Sequence, residues 1–228
     1  PTPSELGHSG EAPTHPVLLN DLAARFVKNG WSLKWLHREI LQSATWQQSI
    51  HNPAAQKADP ANEHLARMNL RRLDVEAWRD AMLHASGQLD LTLSGEPKDL
   101  NAKDNRRRTL YGAIHRREPN QFLRIHDFPD PTAHAPTRPQ TITPLQQLFT
   151  LNGPFIHSQA EALAANLMKQ NGTKARIIAA YQKLFQRVPR ATELKIAIAY
   201  LAGNENNAAA WTQYAHALLA SNEFQFIE

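Results

Sequence analysis

Apolar and polar positions follow one another along most of the chain with the spacing of amphipathic helices. After an arm over residues 1–13 that is rich in Pro and Gly, apolar residues recur every three to four positions over residues 15–28 and 32–43. Ser32 is a typical N-cap residue for the second of these helices. The join at Asn29-Gly30 is short, so the pattern predicts an antiparallel helix pair.

The stretch 59–87 is the longest with helical spacing, and we predict that the rest of the chain is organised around it. Asp59 can cap its first turn, and Pro60 suits the first helical position. A second helix is expected to start after Asp74 and to end at Gly87. Its predicted buried stripe consists of Trp78, Met82 and Ala85.

Two consecutive stretches lack helical spacing. Residues 88–105 contain Gly95, Pro97 and alternating charges, which predict an internal loop. Between residues 106 and 128 the apolar positions indicate two short extended segments. A two-stranded ribbon of this kind is marginal alone and must lie against helices.

The last hundred residues return to helical spacing. Thr143 and Gln146 form a capping box with Pro144 at the first helical position. Further helices are predicted at about 155–169, from Thr173, after Pro189, and around Trp211 and Tyr214. The chain is therefore predicted to be all-α or nearly so, as one irregular multi-helix domain over residues 1–228 with at most a short two-stranded ribbon around residues 106–128.

The composition of the chain argues against several classes of function. Among 228 residues there is no cysteine, which excludes disulfides, thiolate catalysis, Cys-ligated zinc and covalently attached c-type haem within the chain. The net charge of +4 is small, and its longest basic run is Arg106-Arg107-Arg108, so we expect no nucleic-acid partner. No stretch approaches the roughly 20 apolar residues of a membrane span.

Eight stretches, spread in order over nearly the whole chain, resemble one family. They are TPSELGHSGEAPTHPVLLNDLAARF, GWSLKWLHREILQSATW, DPANEHLARMNLRRLDVEAWRDAMLHASG, RRTLY, LRIHDFPDP, RPQTITPLQQLFTLNGPF, LFQRVPRATEL and ALLASNEFQFIE. With them the chain resembles the planctomycete-specific uncharacterised domain at the C-terminal end of large exported proteins. In those proteins the domain often follows a cytochrome-c-like module and another uncharacterised domain.

The resemblance implies that the chain is a C-terminal fragment of a larger exported protein, periplasmic or at the cell surface, with sister domains as partners. A further helical segment is expected before Pro1, so helices 15–28 and 32–43 are expected to present an apolar surface that this segment covers. At Arg190 the family tends to have Thr, which would complete a capping box with Glu193. We therefore expect a weaker helix start there.

The most concentrated set of charges lies in the central stretch. Arg72 and Glu76 are four residues apart, and Arg79 follows three later, so on a helix they would be neighbours. They predict either an ion-pair network that pins the helix or an anion pocket for a carboxylate, sulfate or acidic sugar. Asp127 and Arg138 are marked by the resemblance, as is Asp130. The candidate binding residues are Arg71, Arg72, Glu76, Arg79, Asp127 and Arg138.

A metal site is a weaker alternative. His115, His126 and Asp127 are possible zinc or iron ligands. However, adjacent residues in an extended segment point to opposite faces, so His126 and Asp127 would rarely bind one ion. Asp127 is more readily explained as an acceptor of hydrogen bonds from a turn or as a partner of an arginine. We expect no metal and no cofactor.

No catalytic signature accompanies these residues, since the chain has neither a G-x-S-x-G elbow nor a glycine-rich phosphate loop. The sequence leaves open whether the chain is an enzyme. The first hypothesis is an accessory or scaffold domain that binds an acidic carbohydrate or a partner protein. The alternatives are a hydrolase of exported polysaccharide with an Arg- and Asp-lined cleft, and an electron-transfer accessory that docks to a cytochrome-c-like module.

Overall fold

The computed structural model describes residues 4–5 and 7–227, and their regular structure is almost entirely helical. This described part holds eleven α-helices, two short 3-10 helices and one two-stranded ribbon. The predicted fold class, all-α or nearly so with a short ribbon, is confirmed. The chain divides into two compact units, Pro1–Arg71 and Arg72–Ile227.

The first unit contains three helices and the start of a strand. Its elements are a 3-10 helix at Gly7–Ser9, α1 at Pro16–Lys28, α2 at Leu33–Leu41, α3 at Pro53–Ala58 and the first residue of β1 at Arg71–Arg72. The cap of α2 is as predicted, since the Ser32 hydroxyl accepts a hydrogen bond from the Trp35 N–H at 3.3 Å. Neither α1 nor α2 buries a residue, and Val17 and Leu33 are 82% and 62% exposed.

The predicted helix over residues 59–73 does not form. Asp59 ends α3 instead of starting a helix, and its carboxylate accepts hydrogen bonds from the N–H groups of Glu63 and His64. Asn62 has a left-handed φ of 55°, and its amide donates to the Arg67 carbonyl at 2.8 Å. Asp and Asn side chains offer the main chain local partners that compete with helical hydrogen bonds. They hold this segment as a loop.

The second unit carries the hydrophobic core. Buried apolar side chains from α4, α7, α8 and α10 form most of that core. The elements are α4 at Val75–Ala85, a 3-10 helix at Thr109–Tyr111, α5 at Gln121–Ile125, α6 at Pro144–Asn152, α7 at Pro154–Leu167, α8 at Thr173–Phe185, α9 at Ala191–Leu201, α10 at Ala208–Leu219, α11 at Asn222–Gln225 and β2 at Phe226–Ile227.

Two local predictions in this unit are confirmed in atomic detail. The stripe of Trp78, Met82 and Ala85 on α4 is buried. The Thr143 hydroxyl accepts from the Gln146 N–H at 3.3 Å, and the Gln146 side chain accepts from the Thr143 N–H at 3.1 Å, which is the predicted capping box.

The ribbon lies elsewhere than predicted. It is formed by β1 and β2, whereas residues 106–128 contain the 3-10 helix and α5. The reason is a helix start that the extended interpretation ignored: the Asn120 side chain accepts from the Phe122 N–H at 2.9 Å and begins α5. Residues 88–105 hold no helix and only isolated bridges, such as Asp90 with Arg107.

Among the residues that the structure describes, none of the helices has the length and apolar character that a membrane crossing requires.

Candidate functional site

The candidate binding residues of the second unit form two ion pairs and one buried arginine. Arg72 pairs with Asp127, and Glu76 pairs with Arg138. Arg79 is buried away from both carboxylates, with 2% of its surface exposed. The sixth candidate, Arg71, is exposed and belongs to the first unit.

Arg72 lies in β1 and not on a helix, so its predicted pairing with Glu76 across one helical turn is wrong. Its guanidinium pairs with Asp127 and also donates to the Thr141 carbonyl at 2.6 Å and to the Gln146 side-chain oxygen at 3.1 Å. The side chains of Arg72 and Asp127 are only 16% and 12% exposed. This pair therefore joins β1, the end of α5 and the start of α6.

Asp127 follows α5 in the left-handed region, with φ at 60°. Its carboxylate accepts from the Thr141 N–H at 2.9 Å, the Thr141 hydroxyl at 2.7 Å and the Gln146 amide at 3.3 Å, besides Arg72. Since a carboxylate has about four acceptor positions, it is saturated. Burial alone would raise the pKa of Asp127, but the bonds from Thr141 and Arg72 outweigh it and hold the pKa below the ordinary value.

Glu76 and Arg138 form a fork-to-fork pair. The two guanidinium nitrogens of Arg138 donate to the two carboxylate oxygens of Glu76 at 2.6 and 2.7 Å. Asp74 lies 3.8 Å from the same guanidinium. Partial burial acts to raise the pKa of Glu76, yet the hydrogen bonds from Arg138 prevail and the pKa is lowered. The geometry is the bidentate one that makes arginine–carboxylate pairs strong.

Arg79 binds carbonyls instead of carboxylates. Its guanidinium donates to the carbonyls of Arg107 at 3.0 Å and Asn105 at 2.7 Å, and to the Thr109 hydroxyl at 3.2 Å. Asp80, the nearest acid, is 4.0 Å away. Burial lowers the pKa of Arg79, although the side chain remains protonated because arginine starts so high.

Asp80 of α4 also binds residues outside its own helix. Asp80 accepts from the Thr109 N–H and hydroxyl, both at 2.7 Å, and lies 3.6 Å from Arg108. Glu76 thus binds Arg138, whereas Arg79 and Asp80 both bind the segment of residues 105–109. The sequence places them on a helix, but their partners come from outside it.

The space beside these pairs is of two kinds. Next to Arg72 and His126 there are voids of about 20 and 10 Å³, which hold one water at most. Beside Glu76 and Arg138 there is an open cleft of about 500 Å³, which Asp74, Asp80 and Arg108 also line together with apolar residues.

His126 is buried among aromatic rings. Its Nδ1 lies 2.8 Å from the Phe122 carbonyl, and its ring is 5.0 Å from that of Trp78. Burial lowers the pKa of His126, so the ring is neutral at pH 7. In residues 4–5 and 7–227 no three His, Asp or Glu side chains are grouped so that they could hold a metal ion.

Three residues of the site escaped the sequence interpretation. Thr141, Gln146 and Thr109 supply most of the bonds to Asp127, Arg72 and Asp80. Gln146 was predicted only as half of a capping box, and that role leaves its amide free to bind Asp127. For Thr141, the one signal in the sequence was its position two residues before Thr143, the N-cap residue of α6.

A family model described as PSD1, protein of unknown function (DUF1553), matches residues 1–201. The chain belongs to this family. The PSD1 match includes every candidate binding residue and ends with α9. It confirms the resemblance to an uncharacterised domain. No curated protein and no solved structure matches the chain.

Proposed function

We propose that this PSD1-family chain is a non-catalytic accessory domain of a larger exported protein, where it packs against sister domains and binds an acidic carbohydrate. One observation carries the non-catalytic part: the carboxylates of Asp127 and Glu76 are each occupied by hydrogen bonds from the protein's own residues. The exported location and the sister domains, including a cytochrome-c-like module, rest on the family resemblance.

A general acid or base needs a free position and a pKa near the working pH. Asp127 has all its acceptor positions filled, and only space for single waters adjoins the Arg72–Asp127 pair. Both Asp127 and Glu76 have lowered pKa values, whereas the acid of a glycosidase has a raised one. These residues are better suited to fixing loops than to moving protons.

A hydrolase is the second candidate, and the cleft of about 500 Å³ favours it, because Asp74, Glu76 and Asp80 all line that cleft. Two carboxylates at the right separation are what glycoside hydrolysis requires. Against this function, Glu76 is held by Arg138 and Asp80 by Thr109. Asp74 lies 3.8 Å from the Arg138 guanidinium, farther from it than the carboxylate of Glu76.

The test is turnover. The purified chain is incubated with pectin, a sulfated galactan and neutral xylan, and reducing ends are measured beside a Glu76→Gln variant and an Asp74→Asn variant. We expect no release above buffer for any of the three proteins. Release by the native chain that either variant abolishes, with an unchanged circular dichroism spectrum, would establish the hydrolase instead.

A further inference from the structure

The second unit contains a cleft of about 850 Å³ on the Arg79 side of α4. Its walls are the residues around Arg79 and Leu83, the loop of residues 100–106, the start of α5 and the first half of α7. The volume lies in the upper part of the roughly 300–1,000 Å³ that ligand sites occupy, so it admits more than a single sugar ring. None of the candidate residues except Arg79 lines it.

The charge of this cleft is positive. Arg79, Lys103 and Arg106 line it against the one carboxylate of Glu161, which gives a net charge of +2. The charge of Arg79 is only partly balanced, because Asp80 is shared between Arg79 at 4.0 Å and Arg108 at 3.6 Å. The other partners of Arg79 are neutral carbonyls and a hydroxyl.

The first turn of α7 adds to that potential. Pro154, Phe155 and Ser158 line the cleft at the N-terminal end of this 14-residue helix. The N-terminal end of a helix carries the positive end of its dipole and exposes N–H groups that have no helical partner. An anionic group in the cleft is therefore attracted by both side chains and main chain.

The remaining lining suits a ring with hydroxyl groups. Phe122, Phe149 and Phe155 form a connected aromatic cluster, with ring centres 5.3 and 6.0 Å from that of Phe122. Such faces pack against apolar ring surfaces. Amide side chains can both donate to and accept from hydroxyls. Those that line the cleft are Gln88, Asn101 and Gln121, together with Asn105 and Gln159, whose amides are already hydrogen-bonded within the protein.

We infer that this cleft binds an acidic oligosaccharide, with its carboxylate or sulfate near Lys103 and Arg106 and a ring face against the aromatic cluster. The inference rests on the accessory function proposed above and assigns it a site. Arg79 is a positioning residue: it fixes the loop that carries Lys103 and Arg106, adds charge to the wall, and already donates three hydrogen bonds to the protein.

Isothermal titration calorimetry tests the site. The probes are tetragalacturonate, a sulfated galactan tetrasaccharide and neutral galactotetraose, each at low salt and at about 0.5 M NaCl. We expect the acidic probe that fits to bind with Kd below about 1 mM, at least tenfold tighter than the neutral sugar, and to weaken with salt. Equal binding of the neutral and acidic probes, or no binding of either acidic probe, would overturn the inference.

Two pairs of variants locate the site. Lys103→Gln with Arg106→Gln removes two cations from the cleft, and we expect affinity to fall about tenfold. The matched control, Lys183→Gln with Lys195→Gln, removes two charges from exposed positions on α8 and α9 and should bind as the native chain does.

The second pair of variants tests the space in the cleft without changing its charge. Ala162 lines the cleft, whereas Ala165 lies on the same helix, is exposed and does not line it. Ala162→Phe should abolish binding, and Ala165→Phe should leave it intact. Full binding by the folded Ala162→Phe variant would place the ligand elsewhere. Binding to the cleft and turnover are measured separately. A failure to bind therefore overturns the assignment of this site without changing the outcome of the turnover test.

Discussion

Arg79 and Arg72 lie only seven residues apart, yet the protein binds them in opposite ways. Arg72 is partly exposed, and its charge is met by the carboxylate of Asp127. Arg79 is 2% exposed, and it donates hydrogen bonds to two carbonyls and a hydroxyl. The first arrangement joins three elements by charge. The second uses the charge of one side chain to fix the course of a loop.

The buried arrangement recurs next to Arg79. Arg107 is 8% exposed and donates to the carbonyls of Thr92, Ser94 and Glu96, with its guanidinium 4.3 Å from the centre of the Tyr111 ring. Together the two arginines bind main-chain groups between residues 92 and 107. A stretch without helix or strand leaves some of its carbonyls without main-chain donors, and here buried guanidinium groups supply them.

Of the variants considered, we expect the largest loss of stability from a substitution of the buried Arg79. Arg79→Met keeps the apolar stem but leaves two carbonyls and a hydroxyl without a donor. We expect the free energy of unfolding to fall by about 3–5 kcal/mol, or the melting temperature by roughly 10 °C. Urea denaturation followed by circular dichroism measures it. Arg106→Met, at an exposed position of the same loop, is the control and should stay within about 0.5 kcal/mol. Similar stability of the two variants would show that the carbonyl contacts contribute little.

The Arg72–Asp127 pair should have an intermediate effect. Arg72→Ala removes one partner of a carboxylate that keeps its bonds from Thr141, so we expect a loss of about 1–3 kcal/mol, or several degrees in melting temperature. Calorimetry of Arg72→Ala, Asp127→Asn and the double variant gives the coupling of the pair, expected at about 0.5–3 kcal/mol. Additive losses would mean that the two side chains act independently.

A third arginine, Arg187, is paired with carboxylates in a way that makes the stability of the fold depend on pH. Arg187 donates to Glu193 and Glu223, and its hydrogen bonds, against partial burial, lower the pKa of Glu193 to about 2. A carboxylate whose folded pKa is lowered stabilises the fold above its unfolded pKa near 4.5 and loses that contribution as pH falls towards 2.

The native chain should therefore exceed a Glu193→Gln variant in stability at pH 6, and the difference should shrink between pH 4.5 and pH 2. Urea midpoints at pH 6, 4 and 3 measure the trend. A difference that is constant over this range would mean that Glu193 has the same pKa in the folded and unfolded chain.

The smallest effect is expected in the first unit. Arg25 pairs with Asp21 and Glu39 on the exposed surface of α1 and α2, where solvent screens the charges. Arg25→Ala should change the melting temperature by no more than about 2 °C. A shift as large as that of Arg79→Met would remove the distinction between exposed and buried arginines on which these predictions depend.

Signals that act within one helical turn were predictable from the sequence. Ser32, the capping box of Thr143 and Gln146, and the stripe on α4 all depend on residues three or four positions apart. The same range explains the main local error. Asp59 and Asn62 can cap a helix or bind a loop, and the bonds of Asn62 to Arg67 decide for the loop.

The sequence by itself determined the class of this protein, an all-α fold with most of its helix starts, and the identity of the residues that carry charge. The tertiary structure alone decided which of those charges meet. Arg72 pairs with Asp127, which is 55 residues away in the sequence, and Arg138 pairs with Glu76, which is 62 residues away. Helical spacing can propose only neighbours within a turn, whereas a guanidinium in the fold takes whichever carboxylate or carbonyl packing brings within hydrogen-bond distance.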